Sequence, residues 1–330
     1  MPSDQIIVIG ASAGGVAAAQ ELLRALPENL GAAVFLVLHL PSDGISVLDR
    51  ILARSSRLPV QRAQDGAVIR RNHIYVAVPD HHLTLEPGQM RVLRGPKENR
   101  HRPSIDALFR SAADSYGRLV TGVILTGFLD DGTNGLIRIK HRGGTAIVQD
   151  PEDAESPGMP QSAVERVDVD YVLPLREIAP KLAELVQTGK EQPGEVPMPD
   201  RVAVPQNGKP STLTCPDCHG ALWEFDEGDA LTFRCRVGHR YSSDGMFGSQ
   251  NESVERALWA AARALEESAA LSKKLAKRAR ERNQNTAARM FEERALSKEE
   301  HVKLLREVLE RDDKLLPRQE VPSFPDEKSA

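Results

Sequence analysis

The sequence predicts an α/β fold with a doubly wound, mostly parallel sheet and helices on both faces, followed by a small cysteine-bearing module and an α-helical hairpin. Three observations carry this expectation. Ile6–Ile9 and Ala33–Leu38 are apolar runs without polar alternation, the pattern of strands buried on both faces of a parallel sheet. Up to residue 188 such runs alternate with helix-forming stretches, and βαβα order implies a parallel sheet between helical layers. Beyond it the composition shifts to Gly, Pro, Glu and Gln over 189–210, which reads as a linker between this domain and a different kind of chain.

Ile6-Ile7-Val8-Ile9 is the first strand, and Gly10-Ala11-Ser12-Ala13-Gly14-Gly15 turns it into a helix from Val16 to Leu26, stopped by Pro27. The second strand, Ala33–Leu38, ends at His39-Leu40-Pro41, and a helix is expected from Ser46 to Ser55. Short strands follow at Pro59–Gln61 and His73–Val78, then a hairpin pairing Leu83–Leu85 with Met90–Leu93 around Pro87-Gly88. Ser104 is placed to cap a helix reaching Ala113. Leu119–Leu125 is another buried strand, closed by Thr126-Gly127-Phe128-Leu129-Asp130-Asp131-Gly132. A helix over Leu136–His141, a strand over Thr145–Val148 and a further βα pair through Leu185 complete the domain, residues 1–188.

In the segment 211–250, two residues separate Cys215 from Cys218, and three separate Cys235 from His239. Two such knuckles supply a Cys3His set, which suits a closed, structural, tetrahedral Zn²⁺ site. The segment is too short to build a core without metal. His219 follows Cys218 directly and fits a knuckle less well. Leu222–Phe225 and Ala230–Phe233 make a hairpin between the pairs, a zinc-ribbon-like pattern. From 251 to 312 the chain is strongly helical, with a break at Asn283–Thr286. Val254, Leu258, Ala261 and Leu265 form an apolar stripe before the break, and Ala288, Phe291, Ala295, Val302, Leu305 and Leu309 form one after it. The tail 313–330 is polar, contains Pro, and reads as disordered.

Bulk properties narrow the function classes. A formal net charge of −4 provides no general electrostatic reason to bind nucleic acid. No apolar run approaches the ~20 residues that span a bilayer, and the start lacks a basic n-region, so no membrane insertion and a cytoplasmic location are expected. All three Cys lie in one short segment, which argues for a local metal site over a disulfide framework.

Chemistry concentrates at strand ends. Ser12, His39 and the Asp130-Asp131 pair each stand just beyond the carboxyl end of a buried strand, where open parallel sheets bind ligands. The Ser12 turn fits G-x-S-x-G, a nucleophile elbow, and approximates the dinucleotide fingerprint G-x-G-x-x-G with Ser in place of the second glycine. A plain βα turn with a capping Ser has the same sequence. A hydroxyl, an imidazole and a carboxylate together are the parts of an acyl-transfer triad. His39 stands where a dinucleotide-binding strand would end in an acidic residue, which disfavours an oxidoreductase.

The chain order Ser…His…Asp differs from that of the α/β-hydrolases. It resembles instead the CheB-type protein-glutamate methylesterases of bacterial chemotaxis. The resemblance rests on Gly10–Gly15, His39-Leu40-Pro41, Ala77–Leu83, Gly95-Pro96-Lys97-Glu98-Asn99-Arg100-His101-Arg102-Pro103-Ser104-Ile105-Asp106, Leu125–Gly132 and Gly158-Met159-Pro160, in that order over residues 4–187. It implies Ser12 as nucleophile, His39 as base and Asp131, the Asp directly before the Gly, as the carboxylate that orients it. Oxyanion and substrate-shaping candidates are Ala13, Phe128, Arg100, Arg102, Asp106 and Met159. Ala13 and Phe128 replace the Thr and Met common in the family, a change of side chain that leaves the backbone N–H donors in place.

The implied reaction is hydrolysis of glutamyl methyl esters on a chemoreceptor-type protein, with deamidation of glutamine through the same acyl-enzyme. No cofactor is expected for catalysis. Ser12 stands too near the first residue for the receiver domain of many family members to precede it, so control by such a domain in this chain is not expected. The rival reading is a signalling adaptor with weak or no catalysis that binds partners through the zinc module and hairpin. On either reading the hairpin is a candidate dock for a partner helix.

Overall fold

The computed structural model describes residues 5–39, 47–189, 208–226 and 230–312. Most of the linker expected at 189–210, the tail 313–330, Leu40-Pro41 of the motif after His39, and the start of the helix expected from Ser46 lie outside the described residues. The chain divides at Met246/Phe247 into two units.

In the first unit the elements run β1 (Gln5–Ala11), α1 (Gly15–Ala25), β2 (Ala32–Leu38), α2 (Leu48–Ala53), β3 (Val60–Arg62), β4 (Ile74–Val76), β5 (His82–Glu86) and β6 (Gln89–Leu93). They continue with α3 (Ile105–Tyr116), β7 (Val120–Ile124), α4 (Thr133–His141), β8 (Thr145–Gln149), α5 (Gly158–Arg166), β9 (Tyr171–Leu173) and α6 (Leu175–Gly189). Seven strands make one sheet in the order β3-β4-β2-β1-β7-β8-β9, and every pairing within it is parallel. β5 and β6 form a separate antiparallel hairpin with Leu83 opposite Val92.

The doubly wound expectation holds in detail. Successive side chains of a strand face opposite sides, so Ile6 and Val8 enter one core with Leu108 and Phe109 of α3 and Leu136 of α4. Ile7 and Ile9 enter the other with Leu22 and Leu23 of α1 and Ile178 and Leu182 of α6. Between them the chain has no solvent-facing strand side at the centre of the sheet, which is why β1 and β2 carry no polar alternation. The strand order reverses around β1, with β2 on one side and β7 on the other. That switch point opens a crevice at the carboxyl edge.

A four-stranded antiparallel sheet follows, β10 (Lys209–Thr214), β11 (Ala221–Asp226), β12 (Leu231–Cys235) and β13 (Arg240–Ser242). The hairpin read from the sequence is its middle; β10 and β13 are additional strands. Cys215, Leu222, Phe233, Cys235, Tyr241 and Met246 form its small core.

Two helices, α7 (Ser243–Glu281) and α8 (Asn285–Asp312), make the helical hairpin, and the second unit begins within α7. Ala288, Ala295, Val302 and Leu309 of α8 are buried as expected. On α7 the stripe differs from expectation: Val254 and Ala261 are exposed, Leu258 and Leu265 are half-buried, and beyond residue 250 the buried positions are Ala262, Ala269, Ser272, Ala276 and Ala279. The buried set repeats every seven residues, as an a/d seam does. Its members are small and so inconspicuous in a hydropathy pattern, while the larger Val254 lies off the seam. Ion pairs Arg306–Glu266 and Arg280–Glu292, at 2.6 and 2.8 Å, flank it.

Candidate active site

The carboxyl ends of β2, β1 and β7 bring His39, Ser12 and the 126–132 loop side by side. Ala11 is in register with Leu38, so Ser12 and His39 are the next residues of adjacent parallel strands, whose backbones are about 4.8 Å apart. His39 N–H donates to Ala11 O at 3.2 Å, and Ser12 N–H donates to Thr126 O at 2.9 Å on the other flank. Gly14, at φ 72°, is the N-cap of α1 and turns the chain sharply after Ser12. Gly127 lies against Ser12: a Cβ built on it would be 2.8 Å from Ser12 Cβ and would overlap Met159 Sδ. Only glycine fits between them.

Asp131 is the electrostatic centre. His39 Nε2–H donates to its Oδ2 at 2.8 Å, as does Ile105 N–H at 2.7 Å. Its Oδ1 accepts from Ser104 Oγ at 2.9 Å, Asn99 Nδ2 at 3.0 Å and Asp106 N–H at 3.3 Å. The two backbone donors are the first N–H groups of α3, so the carboxylate sits on a helix N-terminus, where partial positive charge favours it. Burial alone would push the Asp131 carboxyl up. The hydrogen bonds from His39 and the Ile105 N–H outweigh burial and hold the group well below the usual carboxylate range. Ser104 is the N-cap of α3 as expected, but its hydroxyl makes no cap bond and turns to Asp131 instead.

Asp130, the neighbour, points elsewhere. Its Oδ1 accepts from Ser242 Oγ at 2.9 Å and its Oδ2 lies 3.4 Å from Arg166 Nη1. Burial, with the charges of Asp244 and Asp131 added, raises it to about 6. The two adjacent carboxylates therefore have opposite electrostatic characters, and only Asp131 meets the imidazole.

With Nε2 engaged, His39 Nδ1 is buried and has no hydrogen-bond partner among the described residues. The His101 ring stacks on it, centroids 3.6 Å apart and planes within 6°. Burial and the nearby charge of His39 push His101 well below the usual histidine range. A neutral His101 therefore holds the His39 ring in plane without competing for its proton. His101 is absent from the candidates read from the sequence, although it stands inside the 95–106 motif; ring stacking leaves no mark in residue spacing.

The substrate-shaping candidates separate. Met159 is fully buried against Gly127, and its N–H donates to Gly127 O at 2.7 Å. Ala13 and Phe128 are half-buried at the site's rim. Arg100 has φ 70° in the loop between β6 and α3. Arg102 is held by Asp80 at 2.8 Å and by Gly95 O at 2.6 Å. Asp106 is buried; its Oδ1 accepts from Gly132 N–H at 3.0 Å and Gly135 N–H at 2.6 Å, and its Oδ2 from Asn99 Nδ2 at 2.8 Å. Arg102 and Asp106 thus brace loops around the site.

The metal-ligand candidates converge. The donor atoms of Cys215, Cys218, Cys235 and His239 all lie within 4.8 Å of one another. Cys218 Sγ is 3.6 Å from Cys235 Sγ, and His239 Nδ1 is 3.6 and 3.4 Å from Cys215 and Cys235 Sγ. A tetrahedral zinc with Zn–S ≈ 2.3 Å and Zn–N ≈ 2.0–2.1 Å requires ligand-to-ligand edges of about 3.5–3.8 Å; these three edges come close to that, the set as a whole lies within 4.8 Å, and the group could hold such an ion. Tyr241 Oη lies 3.5 Å from Cys215 Sγ and donates to Asp217 Oδ2 at 2.6 Å, an outer contact that orients a ligand. His219, at φ 57°, stays outside the set.

A doubly wound parallel sheet carrying Ser, His and Asp at the carboxyl ends of three neighbouring strands, in that chain order, has the layout of a hydrolase domain distinct from the α/β-hydrolases. A family model described as CheB methylesterase matches residues 7–182, and the chain belongs to that family. It is 40% identical over 189 residues to a putative protein-glutamate methylesterase/protein-glutamine glutaminase of Leptospira interrogans, covering 57% of this chain and 98% of that one. It is 37% identical over 188 residues to a protein-glutamate methylesterase/protein-glutamine glutaminase of Thermotoga maritima, 56% of this chain and 55% of that one, and so spans about half of that longer relative. The crystal structure of the Thermotoga maritima CheB methylesterase catalytic domain superposes with a TM-score of 0.54 at 36% identity, over 56% of this chain and 99% of that chain. Among the described residues no helix is long and apolar enough to cross a membrane.

Proposed function

We propose that this chain is a serine esterase that hydrolyses glutamyl methyl esters on chemoreceptor-type proteins in the cytoplasm, and deamidates glutamine side chains by the same route. The observation that carries the reading is the His39 Nε2–Asp131 hydrogen bond, which leaves a buried Nδ1, bonded to no described residue, Ser12 included, on the residue that follows β2 as Ser12 follows β1. Nδ1 takes the Ser12 proton as Oγ attacks the ester carbonyl, and Asp131 stabilises the imidazolium that forms. The developing oxyanion faces main-chain N–H groups of Ala13 and Phe128, which no hydrogen bond among the described residues uses. Collapse breaks the acyl–oxygen bond, and His39 returns the proton to the departing methoxide as methanol. Water, deprotonated by His39, then cleaves the acyl-enzyme to the carboxylate and restores Ser12. An amide substrate follows the same steps and releases ammonia.

An adaptor without catalysis would not need five donors aimed at one buried carboxylate, and the catalytic reading is preferred on that ground. No cofactor takes part in these steps. Cys215, Cys218, Cys235 and His239 hold one structural zinc, on the strength of their edge lengths. The helical hairpin serves to dock a partner helix of the receptor or a signalling protein, since Trp259, Leu271, Leu296 and Leu304 are exposed on it.

The test is methanol release from a methylated chemoreceptor. Ser12→Ala should lower the rate by several orders of magnitude, as for other triad nucleophiles. Turnover that ignores the substitution would end the esterase reading.

A further inference from the structure

The ribbon shares a compact unit with the catalytic sheet, and its last strand ends on the network that holds Asp131. Asn99 is the meeting point. It is buried, at φ 48°. Its side-chain amide nitrogen donates to both Asp131 Oδ1, at 3.0 Å, and Asp106 Oδ2, at 2.8 Å. Two carboxylates on one side fix which end of the amide is nitrogen. The carbonyl end, Oδ1, must then face a donor, and that donor is the ribbon: Ser242 N–H, at 2.8 Å.

The backbone repeats the contact. Asn99 N–H donates to Arg240 O at 2.8 Å, and Arg240 N–H donates to Lys97 O at 3.3 Å, so β13 meets residues 97–99 in a single parallel bridge between Glu98 and Arg240. Ser242 Oγ reaches past them to Asp130 Oδ1 at 2.9 Å. Arg166 pairs with Asp244 and lies 3.4 Å from Asp130, closing the far side. At Gly245 a Cβ would sit 3.1 Å from Asn99 Oδ1 and 2.9 Å from Ser242 Oγ, so the chain passes the junction at van der Waals distance.

The metal site abuts this junction. His239, a ligand, directly precedes Arg240. Gly238, between Cys235 and His239, lies against the 95–103 loop, where a Cβ on it would be 3.1 Å from Pro96 Cγ. The same loop carries His101, stacked on His39. Without metal nothing in the ribbon's small core replaces the cross-link between its two knuckles. β13 would then lose its fixed position, leaving Asn99 Oδ1, Asn99 N–H and Asp130 Oδ1 without these partners.

We propose that the zinc ribbon is a positioning element of the esterase: β13, clamped by the metal, holds Asn99 so that Asn99 holds Asp131, and metal occupancy thereby sets the turnover rate. The proposal rests on the esterase and zinc readings above. Asn99 and Ser242 are positioning residues, since neither touches the reacting atoms. Stacking and hydrogen bonds through one loop tie the ribbon to both His39 and Asp131, so the effect falls on proton transfer and not on substrate binding.

The test uses the full chain and a small glutamate γ-methyl ester, with kcat and KM measured before and after removal of the metal by a chelator. The purified chain should hold about one zinc, as a single four-ligand set implies. Stripping should lower kcat by roughly 10- to 100-fold, the usual cost of losing an outer-shell contact, with KM little changed, and added zinc should restore it. Asn99→Ala in the loaded protein should show a similar kcat loss, and stripping that variant should add little, because both remove the same link. Equal kcat in loaded and stripped protein, full activity in a chain isolated without metal, or losses that multiply would each overturn the coupling. Ser12→Ala in the same assay separates the two levels. Turnover independent of Ser12 overturns the esterase reading itself, while Ser12-dependent turnover indifferent to metal overturns only the ribbon's role.

Discussion

Replacing Asp131 by Asn is the sharpest test of how the site is wired. The carboxylate accepts five hydrogen bonds, two on Oδ2 from His39 and Ile105 and three on Oδ1 from Ser104, Asn99 and Asp106. An amide presents one acceptor end and one donor end, so either orientation points N–H groups at existing donors. If the NH2 takes the Oδ2 place, the bond from Ile105 N–H is lost, and that from His39 is lost too unless the ring changes tautomer. At about 1.5–3 kcal/mol for each bond to a charged group, loss of both costs about 3–6 kcal/mol. The kinetic cost is separate. A donor opposite Nε2 favours the tautomer protonated at Nδ1, which cannot accept the Ser12 proton, and such a reversal costs on the order of 10⁴ in kcat. Asp130→Asn loses no bond to His39 and should lower kcat less than tenfold, the cost of about 1.4 kcal/mol. The assay is methyl ester hydrolysis with urea unfolding on the same preparations. An Asp131→Asn variant within tenfold of the parent, or an Asp130→Asn variant that falls as far, would refute the assignment.

Asp130 also makes a prediction about pH. Its folded-state value near 6 exceeds the ordinary 3.8, so between those values the folded chain holds a proton that the unfolded chain has released. Stability from this group is present at pH 4 and is lost as pH rises through 6, reaching about 3 kcal/mol. Asp130→Asn should therefore gain relative to the parent as pH goes from 4 to 7, and urea midpoints showing a flat or opposite difference would contradict it. Gly127→Ala puts a Cβ 2.8 Å from Ser12 Cβ; Met159 can yield but the Ser12 backbone cannot, so overpacking of about 1–3 kcal/mol should accompany a large kcat loss in ester hydrolysis. An active, equally stable variant would show that the contact is soft. Removing the second unit after Met246 should preserve kcat on a small ester and lower kcat/KM on the receptor, because the hairpin is assigned to docking. Higher activity on both substrates would make the hairpin an inhibitory cover.

By itself the sequence determined the strand ends. Ser12, His39 and Asp131 were legible because parallel strands leave their carboxyl-end residues at one edge, whatever the loops between them do. The convergence of the Cys3His group, which could hold a metal, was legible for a similar reason, since knuckle spacing is local. The heptad phase of α8 was readable from its Val and Leu, while that of α7 was not, because an alanine seam carries little hydropathy contrast. Tertiary structure decided the partners. Asp131 rather than Asp130 meets His39 because α3 aims its first N–H groups at one carboxylate, while Ser242, more than a hundred residues later, takes the other. The stacking of His101 on His39 and the reach of Ser242 to Asn99 depend on packing between segments distant along the chain, and no spacing or periodicity encodes such contacts.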